Sequence, residues 1–216
     1  HDPGASVALF DGNTETYFTG KAGLKEIDLL IDLQVQKEFG GLVIDWDGQH
    51  FPESFTIVAS NDQKNWISLS SNKGKGGKTY IVAAESQYRY LKMKIFNGSG
   101  KEVRLREITF KDLSFADNYN NLYYAIAADH PKGWFPRYTL RQQSYFTVVG
   151  VSGDVKEGLL NEDGMLETDK QQFSVEPFLN LNGKFITWND VKISHSLAES
   201  YIAIPSVRWI SDDFTM

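Results

Sequence analysis

Residues 8–18, ALFDGNTETYF, are the segment on which the interpretation of the fold depends. A carboxylate, an amide and a hydroxyl (Asp11, Asn13 and Thr16) follow one another at spacings of two and three residues. Gly12 between them favours a tight turn. Such a turn can surround a hard cation such as Ca²⁺ with side-chain and backbone oxygens. Taken alone, the segment fits equally well an Asx-turn in which Asp11 caps its own backbone.

Short runs rich in β-branched and aromatic residues follow this segment as far as residue 110. Several of them alternate apolar and polar residues, which is typical of a sheet with one wet face. Clusters of turn-forming residues separate the runs, and no long amphipathic helix pattern is present. The sequence therefore predicts an all-β sandwich. Its predicted strands are Leu29–Leu33, Gly41–Trp46, Ser54–Ala59, Lys78–Val82, Tyr90–Phe96 and Glu107–Phe110.

A polar, turn-forming stretch at residues 111–121 (KDLSFADNYNN) predicts a boundary between two domains, 1–112 and 113–216. The charge changes there: residues 1–112 carry 14 Lys and Arg against 15 Asp and Glu, whereas residues 113–216 carry 8 against 13. We expect the second domain to be β-rich and to be the start of a larger one, because the sequence stops directly after a strand-like stretch. Leu122–Ala128 fits either a strand or a short helix. The predicted strands are Tyr145–Val151, Gly158–Leu160, Phe173–Leu181 and Tyr201–Ile210, with hairpin turns at Asn161–Gly164 and Leu181–Lys184.

Composition excludes several classes of function. The chain has 22 basic and 28 acidic residues and a pI near 5.2, so it lacks the basic surface that nucleic-acid binding requires. No apolar run is long enough to cross a bilayer, so we expect no membrane insertion. Cysteine is absent, so disulfides give no information on the compartment. No signal peptide pattern opens the sequence, and we expect His1 to be a cut end.

Three further motifs follow the opening segment in order: Ser60–Trp66 (SNDQKNW), Tyr88–Lys92 (YRYLK) and Leu105–Ile108 (LREI). Together, the four motifs resemble those of the discoidin, or coagulation factor 5/8 type C, domain. The resemblance covers residues 1–112 and implies a jelly-roll β-sandwich of the galactose-binding-domain-like type. It also implies a carbohydrate-binding module.

The resemblance implies a structural Ca²⁺ ion where the first loop meets the last strand. In calcium-binding members such an ion ties together two segments that lie about ninety residues apart in this sequence. The implied ligands are the Ala8 carbonyl, the Asp11 carboxylate, the Asn13 carbonyl, the Thr16 oxygens, the Arg106 carbonyl and the Glu107 carboxylate.

Family members bind ligands on the loops between strands, which correspond here to Thr19–Lys25, Asp47–Glu53 and Phe96–Lys101. Galactose-binding members carry a histidine where this chain has Thr19, and an arginine on the second loop, so the resemblance does not imply galactose as the ligand. These loop residues fit either sugar contacts or an ordinary solvated loop. Phe51 alone is too small an apolar projection for membrane binding, and anionic lipid would not attract a domain of net charge −1. The candidate ligand contacts are Thr19, Gln49, His50, Phe51, Phe96 and Asn97.

Trp46 and Trp66 could stack on a sugar face, because an aromatic ring offers a large contact area at low entropic cost. In the family that this half resembles, both positions are typical of core or strand-edge packing. We therefore interpret both tryptophans as structural.

The second half contains three segments, Trp134–Tyr138 (WFPRY), Leu159–Gly164 (LLNEDG) and Glu176–Phe178 (EPF). They resemble the β-rich module that precedes the helical (α/α)₆ barrel in certain bacterial glycoside hydrolases. Scattered carboxylates in this half invite a two-carboxylate glycosidase interpretation, but carboxylates in turn sequences are usually solvated, and His130 and His195 have no recognisable partner. We predict no catalytic residues. The carboxylates are Glu157, Glu162, Asp163, Glu167 and Glu176.

Two interpretations of function follow. In the first, the chain is a non-catalytic carbohydrate-binding module of a secreted, periplasmic or cell-surface bacterial protein, and a downstream catalytic module in the same chain degrades polysaccharide. In the second, both halves are structural parts of a glycoside hydrolase and have no ligand of their own. Protein or cell-surface adhesion is a third, since the same loops serve it in other discoidin domains.

Overall fold

A computed structural model describes residues 8–153, 155–169 and 172–216. The chain separates into two compact units, His1–Leu122 and Tyr123–Met216. The predicted domain boundary after residue 112 stays a prediction. The strands before residue 112 are β1 (Phe18–Gly20), β2 (Glu26–Trp46), β3 (Ser54–Ser60), β4 (Ile67–Lys73), β5 (Gly77–Phe96) and β6 (Val103–Lys111). Helices α1 (Ser114–Asp117) and α2 (Tyr119–Ala128) follow, and the division between the units falls inside α2.

The six strands form one antiparallel sheet in the order β1-β6-β2-β5-β3-β4. Two long strands organise it: the first half of β2 pairs with the end of β5, and the second half of β2 pairs with the start of β5 and with β6. The pairing of β2 with β5 is interrupted between Asp32 and Lys37, where Gln34 has a left-handed φ of 69°. Such an irregularity bends a strand. The strands predicted separately at Leu29–Leu33 and Gly41–Trp46 are therefore two parts of β2, and the all-β prediction is confirmed.

Apolar side chains from these strands meet in one core, where Trp46 and Phe55 lie with ring centroids 5.3 Å apart. Trp46 is fully buried, which confirms its structural interpretation. Leu9, from the opening segment, is also buried there and anchors that segment to the sandwich. The fully buried large side chains of this core are Leu9, Phe39, Leu42, Ile44, Trp46, Phe55, Ile57, Leu91, Met93, Ile95 and Leu105.

Helix α1, which the sequence did not predict, covers one side of β2. Its buried Phe115 lies against Gly41, where a Cβ atom would come within 2.5 Å of the phenylalanine ring. A Cβ atom at Gly40 would lie 2.2 Å from the Asp112 carbonyl oxygen. The glycine pair thus permits a backbone approach that any other residue would block. Every residue of β2 from Phe39 to Trp46 is buried.

The second unit consists of small antiparallel sheets. One has the order β10-β9-β8-β7, and two hairpins pair β11 with β12 and β13 with β14. Positive φ values at Asn182 (51°) and Gly183 (82°) give the predicted β11–β12 turn the geometry of a type I′ hairpin. The strands are β7 (Phe146–Gly150), β8 (Glu157–Asn161), β9 (Leu166–Glu167), β10 (Ser174–Val175), β11 (Leu179–Leu181), β12 (Lys184–Ile186), β13 (Lys192–Ala198) and β14 (Ile202–Ile210), with 3₁₀ turns at Arg137–Leu140 and Trp188–Asp190.

Two expectations for the second half are decided by this structure. Leu122–Ala128 is helical, as part of α2. The prediction of one strand over Phe173–Leu181 is wrong, because β10 ends before Pro177, which has no N–H to donate to a ladder. No helix in the described ranges is long and apolar enough to cross a membrane.

Candidate metal and ligand site of the first unit

The opening loop is folded around its own oxygen atoms. The Thr16 hydroxyl lies 2.8 Å from Asp11 Oδ2 and 2.8 Å from the Asn13 carbonyl oxygen. Asp11 Oδ1 accepts the backbone N–H of Asn13 at 2.8 Å. The Asx-turn that the sequence suggested is therefore present. It gathers a carboxylate, a carbonyl and a hydroxyl oxygen of the predicted calcium ligands at one place.

Strand β6 meets this loop, as predicted. The Leu9 carbonyl, next to Ala8, accepts the N–H of Ile108 at 2.9 Å. The N–H of Gly12 donates to Glu107 Oε2 at 3.1 Å. Two bonds thus join segments that are about ninety-five residues apart.

Arg106 is the extra residue of a β-bulge. Asp45 pairs with Glu107 and Trp46 pairs with Leu105, so Arg106 has no opposite residue on β2. A bulge takes one residue out of the regular ladder. The predicted Arg106 carbonyl ligand therefore lies where the pairing of β2 with β6 is interrupted, next to the opening loop.

Electrostatics at this junction favour a cation. Burial raises the pKa of Glu107, and the nearby Asp11 and Asp45 carboxylates raise it further. The described part of the chain contains no cluster of three or more His, Cys, Asp or Glu side chains placed to bind a metal. The donors at the loop are instead two carboxylates with neutral hydroxyl and carbonyl oxygens. An all-oxygen set of this kind fits Ca²⁺ rather than Zn²⁺.

The three predicted ligand loops lie side by side. Backbone bonds join Gly23 to Gly100 at 2.8 Å and the Asn97 N–H to the Lys25 carbonyl at 2.8 Å. The Glu53 carboxylate accepts the N–H of Ser99 at 3.0 Å. Thr19–Lys25, Asp47–Glu53 and Phe96–Lys101 therefore form one rim, which we call the loop rim.

Asp47 fixes the middle loop of the rim. Its Oδ1 accepts the N–H groups of Gln49 (2.9 Å) and His50 (3.0 Å) and contacts His50 Nδ1 at 2.8 Å. Its Oδ2 accepts Arg106 Nη2 at 2.7 Å. The hydrogen bond from the Gln49 N–H, and then those from His50 and Arg106, hold the pKa of Asp47 well below its usual range. The carboxylate is therefore ionised and holds His50 and Arg106 in fixed positions.

Tyr17 and Arg104 belong to the same rim, although the sequence did not single them out. The Arg104 guanidinium lies 4.8 Å from the centroid of the exposed Tyr17 ring. The Arg104 N–H donates to the His50 carbonyl at 2.8 Å, and its Nε contacts Glu102 Oε1 at 2.6 Å. A signal was available, since Arg104 and Arg106 alternate with buried Val103 and Leu105 in β6.

The remaining predicted ligand contacts differ in accessibility. Gln49 and Phe51 are exposed, and their role as ligand contacts stays a prediction. Thr19 is exposed but lies inside β1, paired with Arg104, so its assignment to a loop is wrong.

The structure also corrects two other predicted ligand contacts, Phe96 and Asn97. Phe96 is the half-buried last residue of β5 and does not belong to a loop. Asn97 is 2% exposed, and its side chain bonds the Lys101 carbonyl and the Ser99 hydroxyl. Asn97 therefore stabilises the third loop from inside and has no surface to offer a ligand.

Comparison with known families gives one match. The sequence model of the F5/8 type C domain matches residues 1–108. No curated relative matches the sequence. The family match covers the opening loop, the loop rim and most of β6.

Solved structures give further matches at low identity. A chitosan-binding module from a chitosanase/glucanase of Paenibacillus sp. IK-5 has a TM-score of 0.45 and 21% identity, covering 50% of this chain and 86% of that one. The module CpGH89CBM32-6 of Clostridium perfringens has a TM-score of 0.45 and 19% identity, covering 52% and 88%. The Ruminococcus gnavus GH29 fucosidase E1_10125 in complex with fucose has a TM-score of 0.44 and 24% identity, covering 51% and 22%. The matched part thus spans about a fifth of the fucosidase.

Proposed function

This chain belongs to the F5/8 type C domain family, and on that premise we propose that its first unit binds carbohydrate at the loop rim and holds a structural Ca²⁺ ion at the opening loop. The matched half is a binding-type module and not a catalytic domain. The observation that carries the proposal is the rim itself, where the exposed Tyr17 ring lies beside Arg104. The backbone of Arg104 is bonded to His50, one of the residues that Asp47 fixes.

The chemistry of the rim suits a sugar. A pyranose presents a face of C–H groups that packs on an aromatic ring and hydroxyl groups that both donate and accept hydrogen bonds. Tyr17 offers the ring, and Arg104 and Arg106 offer donors. His50 and Gln49 add further polar groups at the same place. Because Asp47 fixes the backbone of the middle loop, the His50 ring and Arg106 before binding, these parts of the rim lose little conformational freedom when a ligand arrives.

We expect the affinity to be weak. The rim is an open surface with few polar anchors, so a bound sugar buries little area. Dissociation constants of about micromolar to millimolar correspond to that situation.

The proposed calcium ion has a structural role. Its ligands come from the opening loop and from β6, and burial next to other carboxylates raises the pKa of Glu107. A divalent cation relieves that repulsion and adds a link between the two segments. The residues that would hold the ion are Ala8, Asp11, Asn13, Thr16, Arg106 and Glu107.

Titration of the full chain with a panel of plant, microbial and host oligosaccharides, followed by NMR, tests the carbohydrate proposal. We expect shifts at resonances of the loop rim. Replacing Tyr17 by Ala should weaken binding about five- to tenfold, because the stacking surface is lost. His50→Ala should weaken it as well.

The matched control is Tyr119→Ala, which removes an exposed tyrosine of α2 outside the rim. It should leave both binding and melting temperature unchanged. A panel that produces no shift at the rim would reject carbohydrate binding and support a purely structural module. If Tyr17→Ala and Tyr119→Ala changed sugar binding equally, the sugar would not bind at the Tyr17 ring.

The wider setting is part of the proposal. We propose a secreted or cell-surface protein whose parent chain degrades polysaccharide, which rests on the family of the first half and on the resemblance of the WFPRY, LLNEDG and EPF segments. Sequencing the gene on both sides of residues 1–216, together with fractionation of the source cells, tests it. A cytoplasmic protein without a glycoside hydrolase module would contradict it.

A further inference from the structure

The second unit contains a groove of its own, independent of the loop rim. It has a volume of about 580 Å³, within the range of small-molecule sites. Strand β7 forms one side and the β13–β14 hairpin the other. The residues that matter for its chemistry are Tyr145, Phe146, Asn161, Glu162, His195 and Ser206.

Asn161 brings an unsatisfied donor to this groove. The residue is 2% exposed, and its Oδ1 accepts the N–H groups of Asp163 at 3.0 Å and Met165 at 2.7 Å. Its Nδ2 has no hydrogen-bond partner among the described residues. Buried polar groups in native proteins are almost always paired. An acceptor atom on a bound ligand would satisfy this donor.

The Glu162 carboxylate gives the groove a hydrogen-bond acceptor. Glu162 Oε2 accepts the N–H of Tyr145 at 2.9 Å, and Oε1 lies 3.5 Å from Arg137 Nε. Arg137 makes its two shorter bonds to Asp163, so an anion in the groove would be repelled by the Glu162 carboxylate. The groove therefore suits a ligand that can donate hydrogen bonds to that carboxylate.

His195 and the hydroxyl groups complete the polar set. His195 Nε2 lies 2.8 Å from the Glu162 carbonyl, an acceptor, so Nε2 carries the proton. In the neutral imidazole, Nδ1 is then an acceptor. Ser206 on β14 adds a group that can both donate and accept. The groove thus presents donors and acceptors in close alternation.

Two aromatic rings provide the apolar part of the groove. Tyr145 is 66% exposed and Phe146 is 42% exposed. Exposed rings beside alternating donors and acceptors match a molecule with C–H faces and many hydroxyl groups. We infer that this groove is a second binding site, which takes a neutral, hydroxyl-rich saccharide.

A peptide is the main competing occupant, because β7 is an edge strand that could pair with an added strand. Strand addition would use the backbone of β7. It would not involve the Asn161 amide donor or the acceptor on His195. These side chains favour the saccharide.

The test is NMR titration of the ¹⁵N-labelled full chain with neutral trisaccharides of glucose, xylose and mannose at millimolar concentration. We expect shifts of the Asn161 side-chain NH₂ signals and of backbone amides at Thr147 and Ser196. Tyr145→Ala should abolish these shifts. Tyr201→Ala is the matched control, since it removes an exposed tyrosine outside the groove, and it should preserve them.

Each other outcome is decisive. Unchanged Asn161 NH₂ signals with every trisaccharide would overturn the inference. Groove shifts that occur on raising the protein concentration without sugar would assign the groove to a second copy of the chain, and shifts only with an extended peptide would assign it to strand addition. Because Tyr17→Ala affects only the loop rim, a protein that loses rim shifts and keeps groove shifts separates this inference from the proposed function.

Discussion

Different interactions stabilise the two units. The first has one six-stranded sheet around a core of large, fully buried apolar side chains. The second has short strands in separate sheets, and many of its aromatic and branched side chains are exposed. Its interior holds a polar centre instead, in which Arg137 makes two hydrogen bonds to the buried Asp163 carboxylate, at 2.6 and 2.9 Å. Apolar burial dominates one unit, and a buried ion pair is central to the other.

The polar centre is linked to the aromatic residues of its unit. The Arg137 guanidinium lies 4.1 Å from the centroid of the Trp188 ring, and Trp209 Nε1 donates to the Asp163 carbonyl at 2.8 Å. Both tryptophans are buried. Removing one charge would therefore leave the other in surroundings that solvate it poorly. The difference between the units can be tested by disturbing each in turn.

The largest effect is expected from the core of the first unit. Phe55→Ala removes a fully buried ring and should lower the free energy of unfolding by about 3–5 kcal/mol. Urea titration followed by ¹H–¹⁵N NMR reads the two units separately. Phe173→Ala removes an exposed ring from the second unit and should change stability by no more than about 0.5 kcal/mol. If the two variants lowered the free energy of unfolding equally, the contrast between the two units would be contradicted.

A somewhat smaller loss is expected from the polar centre of the second unit. Arg137→Met leaves the Asp163 carboxylate buried without its partner and should cost about 3 kcal/mol, the lower end for such pairs, since Arg137 keeps some exposure. The same urea titration measures it from resonances of the second unit. The double variant Arg137→Met with Asp163→Leu should recover much of the loss, because no unpaired charge remains. If the double variant is as unstable as the single one, packing rather than charge explains the loss.

The sequence predicted the first unit better than the second for a physical reason. Alternation of apolar and polar residues reveals a strand when one face is buried in a large core, as along Ser54–Ala59. Strands as short as β9 and β12, of two and three residues, hold too few residues to show a period. The polar centre was also missed, because the partners Arg137 and Asp163 are 26 residues apart.

The sequence could indicate those parts of the candidate site whose residues are close together in the chain. It could not indicate the parts that folding brings together from distant segments. Asp11, Asn13 and Thr16 lie within one turn, and the sequence alone indicated that they face the same point. The resemblance to a known family was needed to add Glu107. The burial of Asn97 and the stacking of Arg104 on Tyr17 depend on contacts between loops. No sequence spacing encodes those contacts.

Calcium provides a third test, directed at the first unit alone. A ligand that binds only the folded state at a hundred times its dissociation constant should add about 2.7 kcal/mol to the free energy of unfolding. Thermal unfolding with CaCl₂ and with EDTA measures the difference. Asp11→Asn keeps the turn geometry but removes a carboxylate, and should abolish most of the response.

The control for calcium is Asp62→Asn. Asp62 accepts the N–H groups of Lys64 and Asn65 in a turn of the same kind, far along the chain from the opening loop. This variant should keep the full calcium response. Curves with CaCl₂ and EDTA that coincide for the natural chain would reject the ion. A calcium response that is confined to the second unit would show that the ligands have been placed in the wrong half.

The smallest effect concerns pH and the second unit. Burial, with a contribution from the Asp163 carboxylate, raises the pKa of Glu176 from its ordinary value of 4.5 to about 7. Since the folded state holds this proton more tightly than the unfolded state, the associated stability is present below pH 4.5 and is lost as the pH rises through 7. Glu176 is half-buried, so water screens part of the effect. Glu176→Gln should flatten the fall in the urea midpoint of the second unit between about pH 4 and 8, a range that includes both pKa values of the group. Glu157→Gln, at an exposed position on β8, should leave that slope unchanged. Identical slopes for the two variants would mean that Glu176 ionises in the folded protein as it does in the unfolded chain.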